Sequence, residues 1–96
     1  MCIRDSTGTA GSDHAWGSHQ LILGGAVAGG QVLGKFPTLV LNGPDDAGSA
    51  GRWVPTTGAV QYAAALASWF GVPASSLNSV LPMLANFPAT DLKLFG

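Results

Sequence analysis

Glutamate is absent from this sequence. Its five acidic residues are all aspartates, and together with four lysines and arginines they make up 9% of the 96 residues. Soluble domains carry about 25% charged residues. A small domain has a high surface-to-volume ratio and needs polar cover. The shortage implies that much of this surface is covered by something outside the chain; the alternative is a neutral surface rich in Gly, Ser and Thr. The cations Arg4, Lys35, Arg52 and Lys93 are scattered and form no basic stripe, and the formal net charge is −1. Nucleic acid is thereby disfavoured as a partner. The single cysteine, Cys2, cannot form an internal disulfide and says nothing about compartment. Long apolar runs are also missing. The longest uncharged apolar stretch, Leu21 to Leu33, contains four glycines and Gln31 and is too short for a bilayer. No signal peptide is expected from the first residues, which lack an apolar run of the right length. Dinucleotide fingerprints, phosphate loops with their Lys and Ser/Thr, and the Gly-x-Ser-x-Gly elbow do not occur.

What the sequence does have is concentrated near its start. Gly11-Ser12-Asp13-His14-Ala15-Trp16-Gly17-Ser18-His19 holds one carboxylate and both histidines. Asp13 and His14 offer an oxygen and an imidazole side by side. Neighbours in a regular strand face opposite ways, so only a bent loop lets both approach one metal, and Gly11 and Gly17 permit that bend. His19 lies five positions beyond His14, about 140° away on a helix, so a shared helical face is not the arrangement expected. Mixed O/N ligation of this kind suits Zn²⁺ or Mn²⁺. The competing reading is local: an Asx turn at Asp13 and histidines bonded to backbone. Asp45-Asp46 reads as a solvated turn in preference to a hard-cation loop, since no Asp-x-Asp-x-Asp-Gly series is present. Arg52 could meet an anion, but beside Trp53 it is expected to stack or pair locally. Trp16 is expected to anchor its loop.

Thr7 to Gly17 reads as loop. His19–Leu23 and Gln31–Leu33 are expected as short strands separated by the glycine pairs at 24–25 and 29–30. Phe36–Leu41 is expected as a further strand or extended segment, with Pro37 placing it at an edge or a strand start. A turn should follow over 42–48. The clearest helix should be capped by Thr56 or Thr57 and stopped at Gly71, with Tyr62, Leu66, Trp69 and Phe70 as one apolar stripe. A second, shorter helix should begin at Pro73, or at a Ser75 or Ser76 cap, and end before Pro82. Residues 83–96 read as an irregular tail. Met1-Cys2-Ile3-Arg4-Asp5-Ser6 resembles the translation of a sequencing adaptor, so residues 1–6 are expected to be a non-native tail and residues 7–96 to be the protein proper.

Three stretches carry a resemblance. They are Ser12-Asp13-His14-Ala15-Trp16-Gly17-Ser18-His19-Gln20 running into Leu23-Gly24-Gly25-Ala26-Val27-Ala28-Gly29-Gly30; Phe36-Pro37-Thr38 with Leu41-Asn42-Gly43-Pro44-Asp45-Asp46; and Gly51-Arg52-Trp53-Val54-Pro55-Thr56-Thr57 followed by Gln61-Tyr62 and Trp69-Phe70-Gly71-Val72. Together they resemble the C-terminal end of the bacterial domain-of-unknown-function 1501 family, of the alkaline-phosphatase and sulfatase superfamily. The resemblance implies an α/β fold, with residues 7–96 as the C-terminal portion of one alkaline-phosphatase-like domain: a glycine-rich loop, short strands and two helices, incomplete without the missing N-terminal part. It further implies twin-arginine export to the periplasm or the exterior. The implied activity is metal-dependent hydrolysis of a small anionic phosphate or sulfate ester, with Asp13, His14 and His19 as metal ligands and the nucleophile upstream. The alternative is an exported structural or binding protein without catalysis. Ala15 and Gln20 depart from the family's pattern, which often has Gly and a second His there, and an amide does not replace imidazole as a strong ligand. These 96 residues on their own are expected to be inactive.

Overall fold

The computed structural model describes residues 17–89 and 92–96. Asp13, His14 and Trp16, like the adaptor-like residues, lie outside the described residues. The chain divides into two compact units. The described parts of the first are residues 17–21 and 35–56; those of the second are 22–34, 57–89 and 92–96.

The second unit holds the helices. Helix α1 spans Ala59–Phe70 and helix α2 spans Leu77–Val80, with 3-10 turns at Ala74–Ser76 and Pro82–Asn86. Helix α1 ends as its sequence suggests. Gly71 adopts φ 115°, a region closed to most side chains. Its N–H donates to the Ser68 carbonyl at 3.2 Å, and the Val72 N–H donates to the Ala67 carbonyl at 2.9 Å. This pair of bonds is a Schellman motif, which satisfies two of the orphan carbonyls at the helix end.

The start of α1 differs from expectation. Its N-cap is Gly58, not Thr56 or Thr57. Thr56 is engaged elsewhere: its hydroxyl donates to the Lys35 carbonyl at 2.9 Å and accepts from the Lys35 N–H at 3.4 Å. With no hydroxyl at the cap, the first turn is tied by Gln61, whose Oε1 accepts from the Gly58 N–H at 2.7 Å. This is half of a capping box. Glycine is also required at 58 by space, because a Cβ there would stand 2.6 Å from the Phe87 ring.

The face of α1 that packs inward is made of small and polar residues. Gln61 and Ala64 are buried, whereas Trp69 is 56% exposed and Phe70 84% exposed. The expected stripe of Tyr62, Leu66, Trp69 and Phe70 is therefore not the packed face of this unit. Trp69 stacks on Phe95 with ring centroids 4.8 Å apart. Leu94 is buried, and its carbonyl accepts from the Ala28 N–H at 2.9 Å beside an antiparallel bridge between Val27 and Phe95. Helix α2 stops before Pro82, but the following residues are not irregular. Pro82 opens the 3-10 turn, a position where its missing N–H costs nothing.

The α/β expectation is not met. Among the described residues there is no strand, only isolated bridges, the antiparallel pairs Val27–Phe95 and Asp46–Trp53 among them. Helices are the regular elements present, so an alkaline-phosphatase-like portion with short strands does not describe this structure. The reason is physical. A strand exists through its ladder, and 19–23, 31–33 and 36–41 find no parallel or antiparallel neighbour among the described residues. Leu21, Leu23 and Val32 remain more than four-fifths exposed. Extended apolar runs bounded by Gly pairs and Pro37 have the composition of strands without the partners that would make them so.

Candidate functional site

The first unit carries most of the described polar chemistry. Its centre is Asp46, a half-buried residue in a loop closed by the Asp46–Trp53 bridge. The bridge is flanked by two backbone bonds, Ala47 N–H to the Arg52 carbonyl and Val54 N–H to the Asp45 carbonyl, both 2.9 Å. Within the loop, Oδ1 of Asp46 accepts from the Gly48 N–H at 3.1 Å and the Arg52 N–H at 3.0 Å. Oδ2 accepts from the Asn42 N–H at 3.0 Å and the Gly51 N–H at 3.1 Å. A carboxylate has about four lone-pair sites, and all four here receive a backbone donor.

Removal from water on its own would raise the Asp46 carboxyl. The N–H donors of Asn42, Gly51, Gly48 and Arg52 outweigh that and hold it below the ordinary carboxylate value. Its neighbour acts on the preceding segment: Asp45 Oδ2 accepts from the Thr38 N–H at 2.7 Å. The aspartate pair therefore organises the loop from within. A hard cation would have to displace backbone donors that already fill Asp46. A turn at 42–48 is readable from composition; the reach of Asp46 to Gly51 and Arg52 is not, because it depends on the loop folding back.

Of the three residues expected to hold a metal, only His19 is described. It is exposed, and its ring stacks on Phe36 with centroids 5.2 Å apart and planes 12° from parallel. Stacking uses the face of the imidazole, whereas a metal is bound in the ring plane through nitrogen. The contact thus orients the ring. Asp13 and His14 lie outside the described residues. Among the described residues no group of three or more His, Cys, Asp or Glu stands together to hold a metal. Nothing in the sequence singles out Phe36 as the neighbour of His19, since seventeen positions separate the two. Arg52 gives its N–H to Asp46 and keeps its side chain exposed, while Trp53 beside it is buried at 6% exposure.

The second unit has an open groove of about 700 Å³ lined by Gln61, Ala64, Trp69, Leu84, Phe87 and Phe95, among others. Its lining is mainly apolar. No described helix is long and apolar enough to cross a membrane. No family model matches this sequence, and no curated protein or solved structure is significantly similar to it.

Proposed function

We propose that these residues are part of an exported protein related to the domain-of-unknown-function 1501 family, and that the Asp13-His14 and His19 loop supplies ligands to a Zn²⁺ or Mn²⁺ ion used in hydrolysis of a small phosphate or sulfate ester. The supporting observation is His19. The residue is exposed, and its imidazole is held by its face against Phe36, a contact that does not use the in-plane nitrogens. A metal in such a site polarises the ester and lowers the pKa of bound water. The part proposed for this sequence is to supply Asp13, His14 and His19 as ligands from one glycine-containing segment. The remaining ligands and the nucleophile would come from the missing N-terminal part of the protein, and periplasmic or extracellular location follows from the same resemblance.

Elemental analysis of the longer protein tests this reading. Metal should fall in the Asp13→Ala/His14→Ala variant, and to a similar or smaller degree in His19→Ala. Stoichiometric metal retained in the double variant would reject the site.

A second reading, an exported structural or binding protein without catalysis, is favoured by the uncovered apolar surface. Leu21, Leu23, Val32 and Phe70 are each more than four-fifths exposed, and such side chains are normally covered by a partner. Turnover of an aryl phosphate or aryl sulfate by the longer protein separates the two: metal-dependent release supports the hydrolase, and bound metal without turnover supports the second reading.

A further inference from the structure

Asn42 is the sole non-glycine residue with positive φ among the described residues, at 57°. It is exposed and is followed by Gly43. Asparagine tolerates this left-handed conformation better than most residues. Two bonds fix it: the Asn42 N–H donates to Asp46 Oδ2 at 3.0 Å, and the Gly43 N–H donates to the Val40 carbonyl at 2.9 Å.

We propose that Asn42–Gly43 is a self-modification site, a spontaneous deamidation whose rate is set by opening of the loop that Asp46 holds. The Gly43 backbone nitrogen attacks Cγ of Asn42, forming an N–C bond and giving up its proton. The bond from Cγ to the amide nitrogen Nδ2 breaks, and that nitrogen leaves as ammonia. Water then opens the resulting five-membered imide at either carbonyl, giving aspartate or isoaspartate at position 42. One ammonia is lost and one water gained, with no oxidant or reductant. Gly43 presents no side chain to hinder the approach.

In the closed loop the attacking nitrogen is committed to Val40. Attack therefore requires that the turn open, and a reaction of a rarely opened state tracks the population of that state. Asp46 sets this population because its carboxylate fastens residues 42, 48, 51 and 52 at once. The product does not restore the loop. Aspartate adds a further negative charge to a loop that already holds Asp45 and Asp46, and isoaspartate adds a methylene to the backbone between the Val40 and Gly43 partners. The change is a one-way loosening of this unit.

The test is peptide mapping of the 96-residue protein incubated at mildly alkaline pH. Modification at position 42 should be slow in the wild type. It should be about tenfold faster in Asp46→Asn, whose amide nitrogen cannot accept, and similarly faster for the wild type in urea. Asp45→Asn releases Thr38 alone and should keep the wild-type rate. Equal rates in the wild type, Asp46→Asn and urea would overturn the gating. So would equal acceleration by Asp45→Asn. Earlier modification at Asn78 or Asn86 than at Asn42 would overturn the site itself.

Discussion

Gln61 Nε2 donates to the backbone carbonyl of Pro88 at 2.8 Å, across 27 positions of sequence. The same amide accepts from the Gly58 N–H through Oε1 at 2.7 Å. One buried side chain thus closes the first turn of α1 and ties that helix to the segment after the second 3-10 turn. At 6% exposure it has little access to water, so both of its bonds matter. Gln61→Leu should leave a donor at Gly58 and an acceptor at Pro88 unpaired, at a cost of about 1–3 kcal/mol. Gln61→Glu keeps the first bond and sets a carboxylate against the Pro88 carbonyl, so it should be no better. Urea midpoints of the two variants check this; a wild-type midpoint for Gln61→Leu would contradict the staple.

Gly58→Ala should destabilise the same unit, although alanine is the better helix former. A Cβ at 58 would meet Phe87 Cε1 at 2.6 Å, closer than side chains approach. The clash is with a ring, so trimming the ring should relieve it. Phe87→Leu should therefore cost less in the Gly58→Ala background than in the wild type. A double-mutant cycle measures the coupling, and strict additivity of the two changes would show that Phe87 does not limit position 58.

What is legible in the sequence is local. Gly71 and Pro82 mark helix ends because the φ of one and the missing N–H of the other act within a turn, whatever surrounds them. Thr56 cannot be assigned from its neighbours: its hydroxyl has two uses, and the Lys35 backbone takes it. The apolar run of Phe36–Leu41 reads as a strand by composition, yet strands are made by pairing, and pairing partners are not a local property. Tyr62, Leu66, Trp69 and Phe70 share a face of α1, but sharing a face does not say that anything covers it. The clustering of Asp13, His14 and His19 is visible in the sequence, whereas the stacking of His19 on Phe36 is a tertiary contact that spacing does not encode.

Acid should release the Asp46 loop later than an ordinary carboxylate would. The folded-state value is depressed by four backbone donors, so the carboxylate's contribution to stability is present above the unfolded value. It is lost as pH falls through the lower, folded one. The amides of Asn42, Gly48, Gly51 and Arg52 should shift together during that loss, with a midpoint below that of an unperturbed aspartate. Asp46→Asn should abolish the transition and weaken amide protection at all four residues at neutral pH. NMR titration of these amides measures both effects. A midpoint at or above the ordinary aspartate value would mean that the four donors do not govern the group.

Trp53→Ala should cost more stability than Trp69→Ala. Trp53 is 6% exposed and follows Arg52, whose N–H and carbonyl are both fixed within the Asp46 loop. Truncating a buried aromatic costs roughly 3–5 kcal/mol. Trp69 is 56% exposed, and its described ring contact is the stack on Phe95. Such a pair is worth about 0.5–1.5 kcal/mol beyond area burial. The ordering is opposite to the one suggested by the apolar stripe of α1, where Trp69 would be core. It rests on each tryptophan's own unit, so each variant is best followed through amide exchange in that unit. A larger loss of protection for Trp69→Ala than for Trp53→Ala would place the stripe of α1, not the Asp46 loop, over the principal packed surface of this protein.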